Sequence, residues 1–137
     1  MLGETYEFVV PGKYSYFAEQ VSHHPPICAY QMKGESGYIR FGANLLKNKF
    51  TRGTLNFFNI YKEYIELTPH NELFELRTPN LGVHNIIFGQ IYLDLESNAT
   101  IKNVYKPEQR AEISYTKRTA AKDKQFIVNG KVFSGKD

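Results

Sequence analysis

From Tyr14 to Phe133 the chain is a succession of short apolar or alternating runs cut off by turn formers, and this punctuation restricts it to strands. Tyr14 to Ser22 alternates loosely and ends at a pair of prolines. Ile27 to Met32 comes next, and Lys33-Gly34-Glu35-Ser36-Gly37 reads as a hairpin connection. Within Tyr38 to Leu46, Ile39, Phe41, Ala43 and Leu45 share one face, and Arg40, Gly42 and Asn44 share the other. Thr54 to Tyr61 is rich in aromatics, Tyr64 to Thr68 stops at Pro69, and Leu73 to Thr78 stops at Pro79. His84 to Leu95 is the longest candidate strand, with Ile87, Ile91, Leu93 and Leu95 on one face. Ile101 to Tyr105, Ala111 to Tyr115 and Phe126 to Phe133 complete the set, although Asn129-Gly130 also suits a tight hairpin turn. Eight to ten short strands with close turns predict an all-β antiparallel meander. Neither helical heptads nor repeats nor low-complexity segments interrupt it.

Composition agrees with that fold. Ten Tyr and ten Phe make the chain 15% aromatic, which suits pleated, half-buried surfaces. A length of 137 residues allows one domain at most. No apolar run is long enough to span a bilayer, and the N-terminal residues lack a secretory pattern. The single Cys28 excludes an internal disulfide framework and fits a reducing compartment, so a cytoplasmic location is expected. On that reading the sequon Asn98-Ala99-Thr100 is unused. A net charge of +3 is mildly basic. It favours transient contact with anionic membrane surfaces and does not demand nucleic acid.

The segment Glu19-Gln20-Val21-Ser22-His23-His24-Pro25-Pro26 carries the chemistry. His24 precedes a proline and is pushed toward extended backbone. Pro25 and Pro26 fix φ and remove two donors, so regular strand pairing is expected to stop there. A stiff strand end then presents two imidazoles, groups that donate hydrogen bonds and suit a phosphate better than an apolar core. Over these eight residues the sequence resembles the fingerprint of the oxysterol-binding-protein-related family of lipid-transfer proteins. Leu2-Gly3-Glu4-Thr5-Tyr6-Glu7 looks like the tail of that family's "NPLLGE" segment. Val83-His84-Asn85-Ile86-Ile87-Phe88-Gly89 resembles a further stretch of the same domain.

The resemblance implies that residues 1–137 form part of a large β-barrel lipid-binding domain, incomplete here. It implies sterol or phosphatidylserine exchanged between membranes against phosphatidylinositol 4-phosphate, at organelle membranes to which the protein binds peripherally. His23 and His24 take the role of holding the headgroup phosphate, through charge-assisted hydrogen bonds. Glu19 and Gln20 match the fingerprint, and strand alternation sends them to opposite faces. Asn44 corresponds to a pocket-lining amide, and Lys47-Asn48-Lys49-Phe50 resembles a basic stretch of the same region. The family's headgroup site also draws on a lysine upstream of Leu-Gly-Glu and on Lys, Glu and Arg of a C-terminal helix. Neither these nor the N-terminal lid has a counterpart between Met1 and Asp137. The alternative is therefore a truncated, transfer-incompetent interaction module. An unclosed sheet would leave two edges and favour oligomers.

Catalysis is not expected. Cys28 comes after two prolines in the apolar run Pro26-Ile27-Cys28-Ala29, which suits an inert thiol rather than a nucleophile paired with His23 or His24. His23, His24, His70 and His84 have no metal-binding spacing, and no phosphate-loop, nucleophile-elbow or dinucleotide motif occurs. Neither metal nor cofactor is implied. Lysines are scattered and no RNP-like motif occurs, so no nucleic-acid partner is expected. Lys117 to Lys124 reads as a solvated loop.

Overall fold

The computed structural model describes residues 1–118 and 127–135. They form thirteen strands and one 3-10 turn, Thr68–His70. The strands are β1 Thr5–Val10, β2 Tyr14–His23, β3 Pro26–Gly34, β4 Tyr38–Asn44, β5 Leu46–Thr51, β6 Thr54–Asn59 and β7 Glu63–Leu67. They continue as β8 Glu72–Arg77, β9 Leu81–His84, β10 Tyr92–Leu95, β11 Ala99–Asn103, β12 Gln109–Tyr115 and β13 Val128–Ser134. Nine of them make one antiparallel sheet in the order β1-β2-β3-β4-β7-β8-β11-β12-β13, and four make a second in the order β10-β9-β6-β5.

The two sheets share a frame. β4, β7, β8 and β11 lie side by side in the first sheet. Their chain continuations β5, β6, β9 and β10 lie in the same order in the second. Four long strands therefore run through both sheets and break together. The breaks fall at Leu45, Ile60 to Lys62, Thr78 to Asn80 and Glu96 to Asn98. Pro79 lacks the donor a ladder needs and sits at one of them. Backbone hydrogen bonds still tie the pairs beside the breaks, from Ile60 N to Leu45 O (3.1 Å) and from Glu96 N to Asn80 O (2.9 Å).

The antiparallel all-β expectation is met, with the sheets unclosed and β1 and β13 as the outer strands of the larger one. Several boundaries differ. β1 and β5 are additional to the expected strands. Their side chains are almost all exposed, so neither shows a buried stripe. His84 to Leu95 is not one strand but the β9–β10 hairpin, in which His84 pairs with Tyr92 and Leu81 with Leu95. Asn85 (φ 61°) and Gly89 (φ 97°) adopt left-handed backbone that breaks the run, and Ile87 and Ile91 lie in the connection. Asn129-Gly130 is not a turn, since both residues pair with β12 inside β13. Phe126 lies outside the described residues, as does all of the expected Lys117–Lys124 loop but its first two residues. Of those two, Arg118 is not simply solvated. Its guanidinium lies 4.6 Å from the Tyr92 ring centroid, and its amide donates to Asp94 (2.9 Å).

Register sorts the larger sheet into two faces. Tyr6, Tyr16, Tyr30, Phe74 and Ile101 stand on an aromatic face that also holds Arg40 and Glu63, and Glu7, Lys33, Glu75, Lys102 and Arg110 stand on a more charged one that also holds Phe17, Phe41 and Tyr64. Tyr6, Tyr16 and Tyr30 contact one another in series, with centroids 6.2 and 5.9 Å apart. Among the described residues only Ala18 and Ala99 are buried apolar side chains, beside buried Glu63 and Asn103. Asn103 is fully buried because it closes the β11–β12 turn. Its Oδ1 accepts from Tyr105 N (3.0 Å) and Lys106 N (3.1 Å), and its Nδ2 donates to Gln109 Oε1 (3.0 Å).

Candidate functional site

The strand pairing expected to end at the prolines is interrupted for two residues only. β2 ends at His23, β3 begins at Pro26, and these two pair across a turn made of His24 and Pro25. Pro26 fits because a first strand residue can lack its donor without cost to the ladder. Both histidines are exposed at this tip, with ring centroids 4.4 Å apart and planes inclined by 48°.

Simple alternation would put Gln20 and His23 on opposite faces. A bulge intervenes: Gln20 pairs with Cys28, but Ser22 pairs with Ile27, so Val21 is an extra residue. This inserted residue inverts the parity of Ser22 and His23 relative to the strand before it. His23, opposite Pro26, therefore joins the aromatic face that carries Gln20, Cys28 and Asn44. Gln20 pairs with Cys28 and Cys28 with Asn44, so the three form one row across β2, β3 and β4. The His23–Pro26 row lies two residues further along, about 7 Å away.

Glu19 is on the other face. It lines a cavity of about 510 Å³ with Phe17, Val21, Ala29, Phe41 and Tyr64, away from the histidine row. Gln20 is tied locally, its amide donating to Ser22 O across the bulge. Asn44 accepts from Asn59 Nδ2 (3.1 Å) at the junction of the two sheets. It lines a cavity of about 260 Å³ with Tyr16, Tyr30, Met32, Arg40 and Glu63. It also lines an adjoining cavity of about 350 Å³ with Leu46, Phe57, Pro79 and Leu81. The fold thus brings His23, Gln20 and Asn44 to one face and leaves Glu19 on the other. Lys47 and Lys49 lie exposed on β5. Cys28 is a free, half-buried thiol whose Sγ is 3.8 Å from Ala29 O.

Sequence reasoning missed the polar group at the floor of these cavities. Glu63 is 5% exposed, and its Oε2 accepts from Arg40 Nε (3.2 Å) and Nη2 (2.5 Å). Burial, then the adjacent Glu63 carboxylate, push the Tyr30 hydroxyl up to about 12, so it stays neutral and able to donate. The hydrogen bond to Glu63 raises Arg40 further, so it remains a cation. Gly42 makes the close approach possible, since a Cβ there would lie 3.2 Å from Glu63 Cα. Nothing in the local sequence marks Glu63. Its burial comes from pairing with Gly42 across the β5–β6 excursion.

The family model for oxysterol-binding protein matches residues 1–137. The chain belongs to the oxysterol-binding protein family. It is 30% identical over 137 residues to oxysterol-binding protein 11 of Dictyostelium discoideum, a match covering 99% of this chain and 24% of that protein. It is 33% identical over 140 residues to oxysterol-binding protein-related protein 3 of Mus musculus, covering 99% and 16%. Among solved structures, the Osh1 ORD domain in complex with cholesterol superposes with a TM-score of 0.79 at 28% identity, over 96% of this chain and 31% of that one. The Osh3 ORD in complex with PI(4)P from Saccharomyces cerevisiae gives a TM-score of 0.80 at 20% identity, over 88% and 32%, a likeness of fold alone. The chain thus spans less than a quarter of those two curated relatives and about a third of each structure.

Proposed function

We propose that residues 1–137 form part of a lipid-binding domain that carries a sterol or phosphatidylserine in one direction and phosphatidylinositol 4-phosphate in the other. The observation that carries this reading is the Val21 bulge, which turns His23 onto the face holding Asn44 and the Asn44–Glu63 cavities. His23 and His24 hold the headgroup phosphate at the exposed tip. The acyl or ring portion lies along the aromatic face. Gln20 and Asn44 line the path between, and Glu19 lies on the opposite face. The Osh1 complex with cholesterol supports the sterol class, and the phosphoinositide class rests on the two histidines. A cytoplasmic protein touching organelle membranes transiently fits such a carrier. Binding and release of lipid need no covalent step.

An amide NMR titration with short-chain phosphatidylinositol 4-phosphate tests the reading. Shifts are expected around His23 and His24, and His23→Ala with His24→Ala should abolish them while peak dispersion is kept. Equal binding by the double variant refutes the phosphate role. A second reading, a transfer-incompetent module that binds a partner, draws on the two outer strands of the unclosed sheet. A folded chain whose spectrum ignores the lipid favours it.

A further inference from the structure

The end of the smaller sheet carries an unusual surface. The β9–β10 connection runs from Asn85 to Ile91, and its side chains point away from any layer of the fold: Ile87 is 57% exposed, Phe88 85% and Ile91 61%. The connection is held in place rather than loose. Ile86 N donates to Gly53 O (3.1 Å), which ties it to the β5–β6 turn, and Asn85 Nδ2 donates to Gln90 O (3.1 Å) across its base. The tie to Gly53 sets the apolar tip beside Arg52, and Phe50, 54% exposed, adds to it from β5.

Charge is distributed to match. β5 and the β5–β6 turn carry Lys47, Lys49 and Arg52, and β6, β9 and the connection hold no Asp or Glu; the one acidic residue of the sheet, Asp94 on β10, lies two residues back from the tip and accepts from Arg118 N. Lys49 and Arg52 lie toward the tip, whereas Lys47, opposite Phe58, lies toward the junction with the larger sheet. An exposed apolar tip beside Lys49 and Arg52 has the chemistry of an anionic bilayer's interface. A bilayer needs no complementary shape: it takes apolar side chains at its interface and attracts lysine and arginine when its lipids are anionic.

We propose that the β5–β6 turn and the Asn85–Ile91 connection form a membrane-docking tip, with Phe88 and Ile87 entering the interface of an anionic bilayer and Lys49 and Arg52 on its headgroups. This deepens the lipid-binding reading by naming the surface that meets the membrane. It stands apart from the histidine tip, which is built by β2 and β3.

The chain has no tryptophan, so Phe88→Trp places a single reporter at the tip. Its emission should shift to the blue with vesicles of phosphatidylcholine and phosphatidylserine, and less with phosphatidylcholine alone. In vesicle sedimentation, Phe88→Asp should weaken binding about tenfold or more, as expected from withdrawing one large apolar side chain. Arg52→Glu should lower binding to the anionic vesicles only. Unchanged sedimentation of both variants, or no binding by the parent chain, overturns the proposal. So does a Phe88→Asp variant that turns a dimer into a monomer and leaves vesicle binding intact, which would assign the tip to a second copy. The soluble short-chain lipid titration reads the histidine site independently, so failure at one tip is distinguishable from failure at the other.

Discussion

The Arg40–Glu63 pair is asymmetric, and the asymmetry can be measured. The Glu63 side chain is 7% exposed and the Arg40 side chain 39%. Arg40→Met strands a carboxylate in the sheet, and leaving one member of a buried pair uncompensated costs about 3 kcal/mol or more. Glu63→Gln leaves a guanidinium that water already reaches, so about 1 kcal/mol is expected. Combining the two removes both charges, and the total should fall about 2 kcal/mol short of the sum of the singles. With a urea slope near ~2 kcal/mol per molar, the midpoints drop by about 1.5 M for Arg40→Met and about 0.5 M for Glu63→Gln. Urea unfolding monitored by circular dichroism reads both. Tyr30 supplies a second readout, by carbon NMR of the ring. Its folded value, about 12 against an ordinary 10.0, means that the neutral form is favoured in the native state. That contribution to stability is whole below pH 10 and is lost as pH rises from there through about 12. Glu63→Gln should lower the Tyr30 midpoint only part-way, because burial is the larger cause and remains. Equal costs for the single variants, or strict additivity in the double, would refute the reasoning.

Asn103→Leu removes three hydrogen bonds from a fully buried side chain and leaves the Tyr105 and Lys106 amides without their acceptor. A loss of about 2–3 kcal/mol is expected, with faster hydrogen exchange at those two amides and a melting point several degrees lower. Asn103→Asp keeps the acceptor and should exchange more slowly there than Asn103→Leu; the reverse order would defeat the turn-closing role. Glu75 is held below the ordinary carboxylate range first by its hydrogen bond with Lys62 and then, against partial burial, by the charges of Lys62 and Arg77. A depressed carboxyl stabilises the fold above its unfolded value and ceases to do so as pH falls through the folded one. Lys62→Met should therefore move the Glu75 carboxyl titration upward, and an unmoved midpoint would show the 2.7 Å contact to be idle.

The parts of the fold legible in the sequence are those that depend on near neighbours. Period-2 faces in Tyr38 to Asn44 and the hairpin after Lys33 come from local alternation and turn chemistry, and they recur in β4 and the β3–β4 connection. β5 escaped because Lys47 and Lys49 alternate with Asn48 and Phe50 on a strand exposed along its whole length, so no buried stripe betrays it. The long run from His84 hid a hairpin because its apolar residues continue straight through the turn; Ile87 and Ile91 are apolar yet exposed. Hydrophobic periodicity assumes that apolar residues face a core, and the tip breaks that assumption.

The site shows the same division between near and distant information. His23 and His24 announce themselves through four consecutive residues. Their placement relative to Asn44 does not, because it depends on one unpaired residue, Val21, that is visible only once β2 and β3 are in register. Glu63 is more hidden still, being made a buried anion by Gly42 and Arg40 from a strand some twenty residues earlier. Its burial also bears on how the molecule is held together. Ala18 and Ala99 are the only buried apolar side chains among the described residues, whereas Tyr6, Phe8 and Val132 are 60%, 46% and 82% exposed. A sheet with so little area removed from water gains stability from whatever covers its aromatic face, at about 25 cal/mol for each Å² of apolar surface. A lipid lying there contributes that area directly, so under the proposed function occupancy and folding stability are linked quantities. The ion pair then has a physical reason to sit beneath the cavities. It fixes β4 against β7 by directional bonds, beside the cavities in which an exchangeable ligand would supply further apolar packing.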